Sequence, residues 1–143
     1  MPLLLTSLKT PIGTLNLIAR EDVLLAANLS TVSAAKASLE EDDRTFGFKE
    51  VKNIPVISDL ISDYFDGDLN ALDAIKVRQP GAPFSQAAWK AMRRVKAGKT
   101  MSYADLADRA GSPSAVRAAG SACANNAIML VVPCHRVVKT GGA

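Results

Sequence analysis

Two adjacent residues near the end of this sequence combine a nucleophile with a base. Cys134 is followed by His135, which is the only histidine among the 143 residues. A free thiol has a pKa of about 8.5, so only a small fraction is nucleophilic thiolate near pH 7. A neighbouring imidazole can accept the thiol proton. The pair therefore fits covalent chemistry in which the Cys134 sulfur attacks an electrophilic atom.

The residues around this pair leave other interpretations open. Consecutive strand residues point to opposite faces, so His135 reaches the Cys134 sulfur only if Pro133 forces a turn or a water bridges them. Cys134 also fits a buried structural cysteine, with His135 in a polar corner. Two cysteines and one histidine do not close a four-ligand zinc site without a carboxylate, so no metal is expected. Cys123 fits a small buried hydrophobe, and a redox pair with Cys134 stays open although the CxxC spacing is absent.

The first third of the chain shows the apolar and polar alternation that is typical of strands. We predict a turn at residues 11–13, a half-buried strand over 15–19 and a hairpin partner over 23–29. The further elements expected in this half are a short helix over 33–41, an edge strand around 46–51, a helix over 54–65 and a loop over 68–82.

Helical signals dominate after residue 83. The apolar stripe of residues 84–95 predicts a helix that Gly98 terminates. Ser102 is expected to cap a helix over residues 103–110, with Asp105 as the acid of a capping box.

A second helix and a strand are predicted to lead to the cysteine. Ser112 and Pro113 favour a helix over residues 113–124, which together with the preceding helix has helix-turn-helix spacing. The apolar run over residues 127–132 predicts a buried strand that Pro133 terminates.

Charge is divided unevenly along the chain. Residues 1–76 carry 7 Lys/Arg and 12 Asp/Glu, for a net charge of −5, whereas residues 77–143 carry 10 and 2, for a net charge of +8. The change falls near residues 77–82, where we place the boundary between lobes 1–80 and 81–143. A basic half favours a polyanionic partner such as nucleic acid, although solvated helix charges give the same excess.

Composition restricts the class of protein further. Hydrophobic residues make up 48% of the chain and charged residues 22%, as in globular proteins. No window approaches the ~18 consecutive apolar residues of a membrane helix. The first ten residues lack the basic segment of a signal peptide. Two cysteines give no disulfide framework, so we expect a reducing compartment: cytosol or nucleoid, or the nucleus of a eukaryotic cell.

The predicted second helix has almost only small side chains. Residues 115–124 carry Arg117 as their single charge. Such a helix fits tight packing between neighbours, or a close approach to the minor groove of DNA, which is about 6 Å wide. A sequence-specific repressor is disfavoured because no set of Arg, Asn and Gln side chains is available to read bases.

Residues 133–137, with the sequence PCHRV, resemble the active-site motif of the O6-methylguanine-DNA methyltransferases, also called alkylguanine-DNA alkyltransferases. Asn126 stands eight residues before the cysteine, as in that family. Other similar stretches are residues 84–89, 98–103, 106–107 and 115–120, and, with less specific motifs, 10–13 and 64–67. The resemblance covers most of the chain.

The resemblance implies direct reversal of alkyl damage in DNA. Cys134 would take the alkyl group from guanine O6 in one in-line displacement, and His135 would activate the thiol through a bound water. Because the cysteine stays alkylated, each molecule would act once. O6 is stacked inside the duplex, so the damaged nucleotide has to be flipped out.

The resemblance also implies roles for residues around this pair. Tyr103, next to Ser102, would press on a DNA phosphate and help rotate the nucleotide, and Arg117 would enter the duplex through the minor groove. On residue type alone, Tyr103 also fits a core aromatic and Arg117 a solvated charge. The residues implied as structural support of the site are Pro133, Asn126 and Arg136.

Two departures from the family pattern affect the expected activity. Met129 stands where some relatives have proline. Relatives continue with a loop that closes the alkyl pocket, which we expect Gly141 and Gly142 to begin, and with a helix whose glutamate orients the histidine. No residue here is assigned to that glutamate, so His135 is expected to be a weaker base. The alternative function is therefore lesion binding with impaired or absent transfer, although retention of Cys134 favours transfer.

We therefore predict an α/β (α+β) fold. Residues 1–80 form a small antiparallel sheet with helices, and residues 81–143 a mostly helical lobe with a helix-turn-helix and a buried strand that ends at Cys134. The predicted enzyme is a single-turnover methylated-DNA–protein-cysteine S-methyltransferase. It would act as a cytoplasmic monomer on double-stranded DNA containing O6-alkylguanine, without membrane, metal or cofactor.

Overall fold

The computed structural model describes residues 1–139. The chain divides after Pro80 into two compact units, which we term the N-terminal and the C-terminal unit. Gly141 and Gly142, where a pocket-closing loop is expected to begin, lie outside the described residues. Within residues 1–139, no helix has both the length and the apolar content to cross a bilayer.

Five strands form one sheet in the N-terminal unit. They are β1 (Leu3–Thr10), β2 (Gly13–Arg20), β3 (Val23–Asn28), β4 (Phe48–Glu50) and β5 (Lys76–Val77). Their order is β4-β1-β2-β3-β5. The three central strands are antiparallel, whereas β4 runs parallel to β1 and β5 parallel to β3. The predicted antiparallel sheet is thus correct for the centre and wrong for the two edges.

The centre of this sheet is more buried than the sequence predicted. β1 was not predicted as a strand, yet it pairs along its whole length with β2. β2 lies between β1 and β3 and is buried on both faces: Leu17 on one face and Ile18 on the other are 0% exposed, and Asn16, on the same face as Ile18, is 5% exposed. Asn16 is satisfied there because its amide accepts a hydrogen bond from Ser7 Oγ (2.8 Å) and donates one to Asn28 Oδ1 (3.1 Å).

Three helices complete the N-terminal unit: α1 (Val32–Ala37), α2 (Glu41–Arg44) and α3 (Ile57–Phe65). The helix predicted over 33–41 is therefore two short helices. The loop predicted over 68–82 contains a 3₁₀ turn and β5. Asp43 of α2 is buried and accepts two hydrogen bonds from Arg78, at 3.0 and 3.1 Å, which ties α2 to the residues after β5. One apolar cluster of this unit comprises Leu3, Leu5, Ile18, Leu25, Ala26, Ala35 and Leu39.

The C-terminal unit contains three helices that contact one another. They are α4 (Pro83–Met92), α5 (Tyr103–Arg109) and α6 (Val116–Ala124). Two short parallel strands, β6 (Met101–Ser102) and β7 (Val137–Val138), pair beside them. Trp89 on α4 is 5% exposed, and its indole Nε1 donates a hydrogen bond of 2.8 Å to the carbonyl of Ala122 on α6. This hydrogen bond links the first and third helices.

The start of α6 differs from the prediction. Ser112 and Pro113 were expected to open the helix, but α6 begins at Val116. The amide of Ala115 donates to the carbonyl of Ser112 at 2.9 Å, so these residues form a turn with Pro113 at its second position. Proline is favoured there because its fixed φ suits the turn as well as it suits a first helical residue.

The buried strand predicted over residues 127–132 is wrong. The segment consists of successive tight turns, in which the amide of Val131 donates to Met129 and that of Val132 to Ile128. Leu130 has a positive φ of 74°, which no strand residue adopts. Ile128, Leu130, Val131 and Val132 are nevertheless buried, and Ala127 and Met129 are partly buried. The apolar run thus indicated burial correctly but not the backbone conformation.

Replacement of Trp89 by Phe should lower the free energy of unfolding by about 1–3 kcal/mol, because the buried Ala122 carbonyl loses its donor while most of the aromatic surface remains. Trp89 is the only tryptophan, so urea unfolding should be followed by far-UV circular dichroism. Val116→Ala, at the exposed start of α6, is the control, with an expected change within about 0.5 kcal/mol. Equal losses in the two variants would contradict the importance of this hydrogen bond.

Candidate active site

Cys134 and His135 lie in a tight turn and not at the end of a strand. Residues 134–136 form one 3₁₀ turn. Pro133 precedes it with φ −84° and ψ 69°, and the amide of Cys134 donates across this proline to the carbonyl of Val132 at 2.9 Å. This is the geometry of an inverse γ-turn, which reverses the chain locally. We term residues 133–136 the Cys134 turn.

Asn126 holds the segment that leads into the Cys134 turn. Its Oδ1 accepts a hydrogen bond from the amide of Ile128 at 3.1 Å, and its Nδ2 donates to the carbonyl of Val132 at 2.8 Å. One side chain thereby satisfies a donor and an acceptor of a largely buried backbone segment. The carbonyl of Val132 is the same atom that accepts from Cys134, so Asn126 acts on the position of the cysteine directly.

Arg136 anchors the other end of the turn. Its Nη1 donates a hydrogen bond of 2.7 Å to the carbonyl of Val95, in the segment that follows α4. The next residues, in β7, pair in parallel with β6. The Cys134 turn is therefore held on both sides by groups that belong to other elements of the same unit.

The surroundings of His135 favour its neutral form. The side chain is exposed, but the protein around the ring removes part of its hydration, and this desolvation lowers the pKa of the imidazole below its ordinary value. The positive charge of Arg136 lowers the pKa further. Near pH 7 the imidazole is therefore neutral, and only the neutral ring can accept a proton.

The two cysteines are free thiols, each half-buried. Burial raises the pKa of the Cys123 thiol to about 11, and the proximity of Cys134 contributes to the rise. Cys123 therefore keeps its proton near pH 7. Within residues 1–139 no group of three or more His, Cys, Asp and Glu side chains is arranged to hold a metal ion.

Ser102 and Tyr103 lie at the start of α5. The prediction that Ser102 caps this helix is confirmed, because its Oγ accepts a hydrogen bond from the amide of Asp105 at 3.0 Å. Tyr103, the first helical residue, is half-buried. Ser102 also pairs with Val138 in the β6–β7 ladder, two residues beyond the Cys134 turn. This ladder brings the start of α5 close to the end of that turn.

Arg117 lies in the first turn of α6 and is exposed. Within the described part of the chain it forms no ion pair. The exposed residues that follow on this helix are Ala118, Ser121 and Ala124, and a Cβ added at Gly120 would meet no atom within 4 Å. This face is thin, with Arg117 as its one long side chain. At 1.5 Å per residue, Arg117 lies about 9 Å along the helix axis from Cys123 in the last turn.

Two contacts that position these residues were not predicted from the sequence. The carbonyl of Val95 that holds Arg136 has no sequence signal, because every residue carries a carbonyl group. The Trp89–Ala122 hydrogen bond had a partial signal, since a tryptophan in a buried stripe needs an acceptor for its N–H.

Comparison with known proteins agrees with this arrangement. Residues 83–143 match the family model described as "6-O-methylguanine DNA methyltransferase, DNA binding domain". The chain is 35% identical to the methylated-DNA–protein-cysteine methyltransferase of Shigella flexneri, over 98% of this chain and 84% of that relative. It is 34% identical to the constitutive enzyme of that name from Bacillus subtilis, over 96% and 82% of the two chains.

A solved structure shows the same fold. The crystal structure of Mycobacterium tuberculosis OGT in complex with DNA superimposes with a TM-score of 0.77 at 31% identity, and the match covers 97% of this chain and 80% of that one. The α/β class predicted from the sequence is thus confirmed. The chain belongs to the methylated-DNA–protein-cysteine methyltransferase family.

Replacement of Asn126 by Ala should destabilise the C-terminal unit by about 1–3 kcal/mol, because the amide of Ile128 loses its acceptor and the carbonyl of Val132 keeps only the hydrogen bond from Cys134. The control is Asn125→Ala, since Asn125 is exposed and its backbone is in a conformation that alanine adopts readily. Urea unfolding followed by Trp89 fluorescence measures both variants within this unit. If Asn126→Ala is as stable as Asn125→Ala, the Asn126 side chain does not hold the loop over residues 127–132.

Proposed function

We propose that this protein repairs DNA by moving an alkyl group from O6 of guanine to the sulfur of Cys134, once per molecule. The observation that carries the proposal is a half-buried free thiol next to a neutral imidazole, in a turn braced by Asn126 and Arg136, in a chain of this family. The proposed reaction needs neither cofactor nor metal, because the thiol itself is the acceptor.

The proposed chemistry is a single displacement. Cys134 attacks the alkyl carbon, a sulfur–carbon bond forms, and the bond between that carbon and O6 breaks. The electron pair of the broken bond stays on guanine, which takes up a proton equal to the one lost by the thiol. No direct hydrogen bond joins Cys134 to His135 in residues 1–139, so the proton would pass to the imidazole through water. The products are unmodified guanine and a thioether.

The C-terminal unit is proposed to bind the DNA. Its described residues carry nine Lys/Arg and two Asp/Glu, so phosphates are attracted to it. We infer that α5 and α6 act as a helix-turn-helix, with Ser102 and Tyr103 against the phosphate backbone. The thin face of α6 suits the narrow minor groove, and Arg117 occupies the space of the flipped nucleotide.

Two further features belong to the proposal. We infer that the protein acts as a monomer, since a bound duplex and one Cys134 turn suffice for the reaction, and in the cytoplasm, since two free thiols fit a reducing compartment. The alternative, a protein that binds alkyl lesions without reacting, is not favoured, because Cys134 and His135 are both present and the relatives are named as methyltransferases.

The test is the intact mass after incubation with duplex DNA that contains O6-methylguanine, followed by peptide mapping. We expect every active molecule to gain one methylene group on Cys134 and none on Cys123. Cys134→Ala should gain nothing but bind the duplex with unchanged affinity, because the phosphate contacts come from other residues. Cys123→Ser is the matched thiol control and should be methylated like the wild type. An unmodified wild-type protein would disprove the transfer.

Arg117→Ala should slow the reaction with duplex DNA at least about tenfold relative to its reaction with free O6-benzylguanine, because only the duplex requires a nucleotide to be flipped out, at a cost of a few kcal/mol. Arg109→Ala removes the same charge from the exposed end of α5 and should affect both substrates by less than about twofold. Equal slowing of Arg117→Ala on the two substrates would contradict a role in flipping.

A further inference from the structure

The second thiol of the chain has no part in the proposed reaction, yet it lies close to the first. Cys123 is half-buried in the last turn of α6, and Cys134 is half-buried in the Cys134 turn. Burial raises the pKa of the Cys123 thiol to about 11, and the neighbouring Cys134 adds to the rise.

Hydrogen bonds of Asn126 link the segments that carry the two cysteines. The amide of Asn126 donates to the carbonyl of Cys123 at 3.4 Å, while its side chain donates to the carbonyl of Val132 at 2.8 Å. That same carbonyl accepts from the amide of Cys134 at 2.9 Å. A single residue therefore connects the segments that carry the two thiols.

We propose that Cys123 is a resolving thiol, which forms a reversible disulfide with Cys134 after a peroxide has oxidised Cys134. A disulfide requires the two Cα atoms to lie about 4.4–6.8 Å apart. The chain leaves α6 after Ala124 and runs through tight turns to Cys134, so formation of the disulfide requires these turns to close the remaining distance between the sulfurs.

The proposed oxidation takes place in two steps, formation of a sulfenic acid and then of the disulfide. The sulfur of Cys134 attacks one oxygen of hydrogen peroxide, the O–O bond breaks, and the products are a sulfenic acid on Cys134 and water. The sulfur of Cys123 then attacks the Cys134 sulfur, the S–O bond breaks, and the hydroxide leaves as water with the thiol proton of Cys123. In total, two thiols lose two hydrogen atoms and the peroxide becomes two water molecules. An external thiol reverses the reaction by disulfide exchange.

The order of these steps follows from the surroundings of the two thiols. Cys134 has the neutral imidazole of His135 beside it, whereas Cys123 retains its proton near pH 7. The thiolate is the form that reacts with peroxide. Cys134 is therefore oxidised first, and Cys123 reacts with the sulfenic acid. The consequence for repair rests on the proposed function: the disulfide blocks the acceptor sulfur until it is reduced.

The sequence makes the disulfide easy to detect. Trypsin cuts after Arg117 and Arg136, so both cysteines lie in one peptide, residues 118–136. Reduced full-length protein should be treated with hydrogen peroxide and denatured in the presence of N-ethylmaleimide, which labels free thiols. The protein is then digested with trypsin, and the peptide masses are measured by mass spectrometry. The expected peptide has lost two hydrogen atoms and carries no maleimide, and prior treatment with dithiothreitol restores two maleimide-labelled thiols.

Two variants test which sulfurs are joined. Cys123→Ser should accumulate a peptide with added oxygen on Cys134, and Cys134→Ser should keep a maleimide-labelled Cys123. If the wild-type peptide gains oxygen at the same rate as Cys123→Ser, or if the disulfide joins two chains on a non-reducing gel, the proposal is overturned.

Transfer activity provides the last readout. After peroxide and then dithiothreitol, the wild type should recover at least about tenfold more methyl transfer than Cys123→Ser, because an unprotected sulfenic acid proceeds to the irreversible sulfinic acid. Equal recovery would overturn the protective role of Cys123. If the untreated protein transfers no methyl group, the proposed function is refuted but the disulfide proposal is not, since the peptide masses report the disulfide independently.

Discussion

The amide side chain of Asn126 is the constraint on which the rest of the candidate site depends. Residues 127–132 have to bury apolar side chains, and burial without a strand ladder would leave their backbone groups unpaired, at a cost of about 1–3 kcal/mol each. Asn126 supplies a donor and an acceptor at once, to Val132 and Ile128. Since Val132 also accepts from Cys134, the side chain that stabilises the loop also fixes where the Cys134 turn begins.

How much of the fold the sequence predicted depends on whether each signal is local. Helix α5 was predicted to within one residue, because the capping residue Ser102 directly precedes it in the sequence. The edge strand expected around residues 46–51 is confirmed as β4, whereas the two-residue β5 was missed, because it exists only through pairing with the free edge of β3. The apolar run over 127–132 predicted burial correctly and conformation wrongly, since a short apolar run has no periodicity that separates a strand from buried turns.

The candidate site was predictable where residue type carries the chemistry. Cys134 and His135 were selected because a thiol next to the only histidine is rare and reactive, and their adjacency is preserved in the folded turn. Their positioning was not predictable, because it depends on contacts over long sequence separations. Arg136 reaches a carbonyl 41 residues away at Val95, and Trp89 a carbonyl 33 residues away at Ala122. A backbone carbonyl has no signature in the sequence, so only the folded chain shows which carbonyl accepts each hydrogen bond.

The two cysteines show how position gives one residue type two roles. In the proposed function each Cys134 reacts once, so an oxidised Cys134 is a molecule lost to repair unless the oxidation can be reversed. The features that make this thiol reactive, partial exposure and a neutral imidazole neighbour, also expose it to oxidants. A second thiol that retains its proton does not compete for the alkyl group, because the protonated sulfur is a poor nucleophile. It can still react with a sulfenic acid next to it, which is the stronger electrophile. A neighbouring cysteine of high pKa therefore protects Cys134 without reducing the selectivity of alkyl transfer.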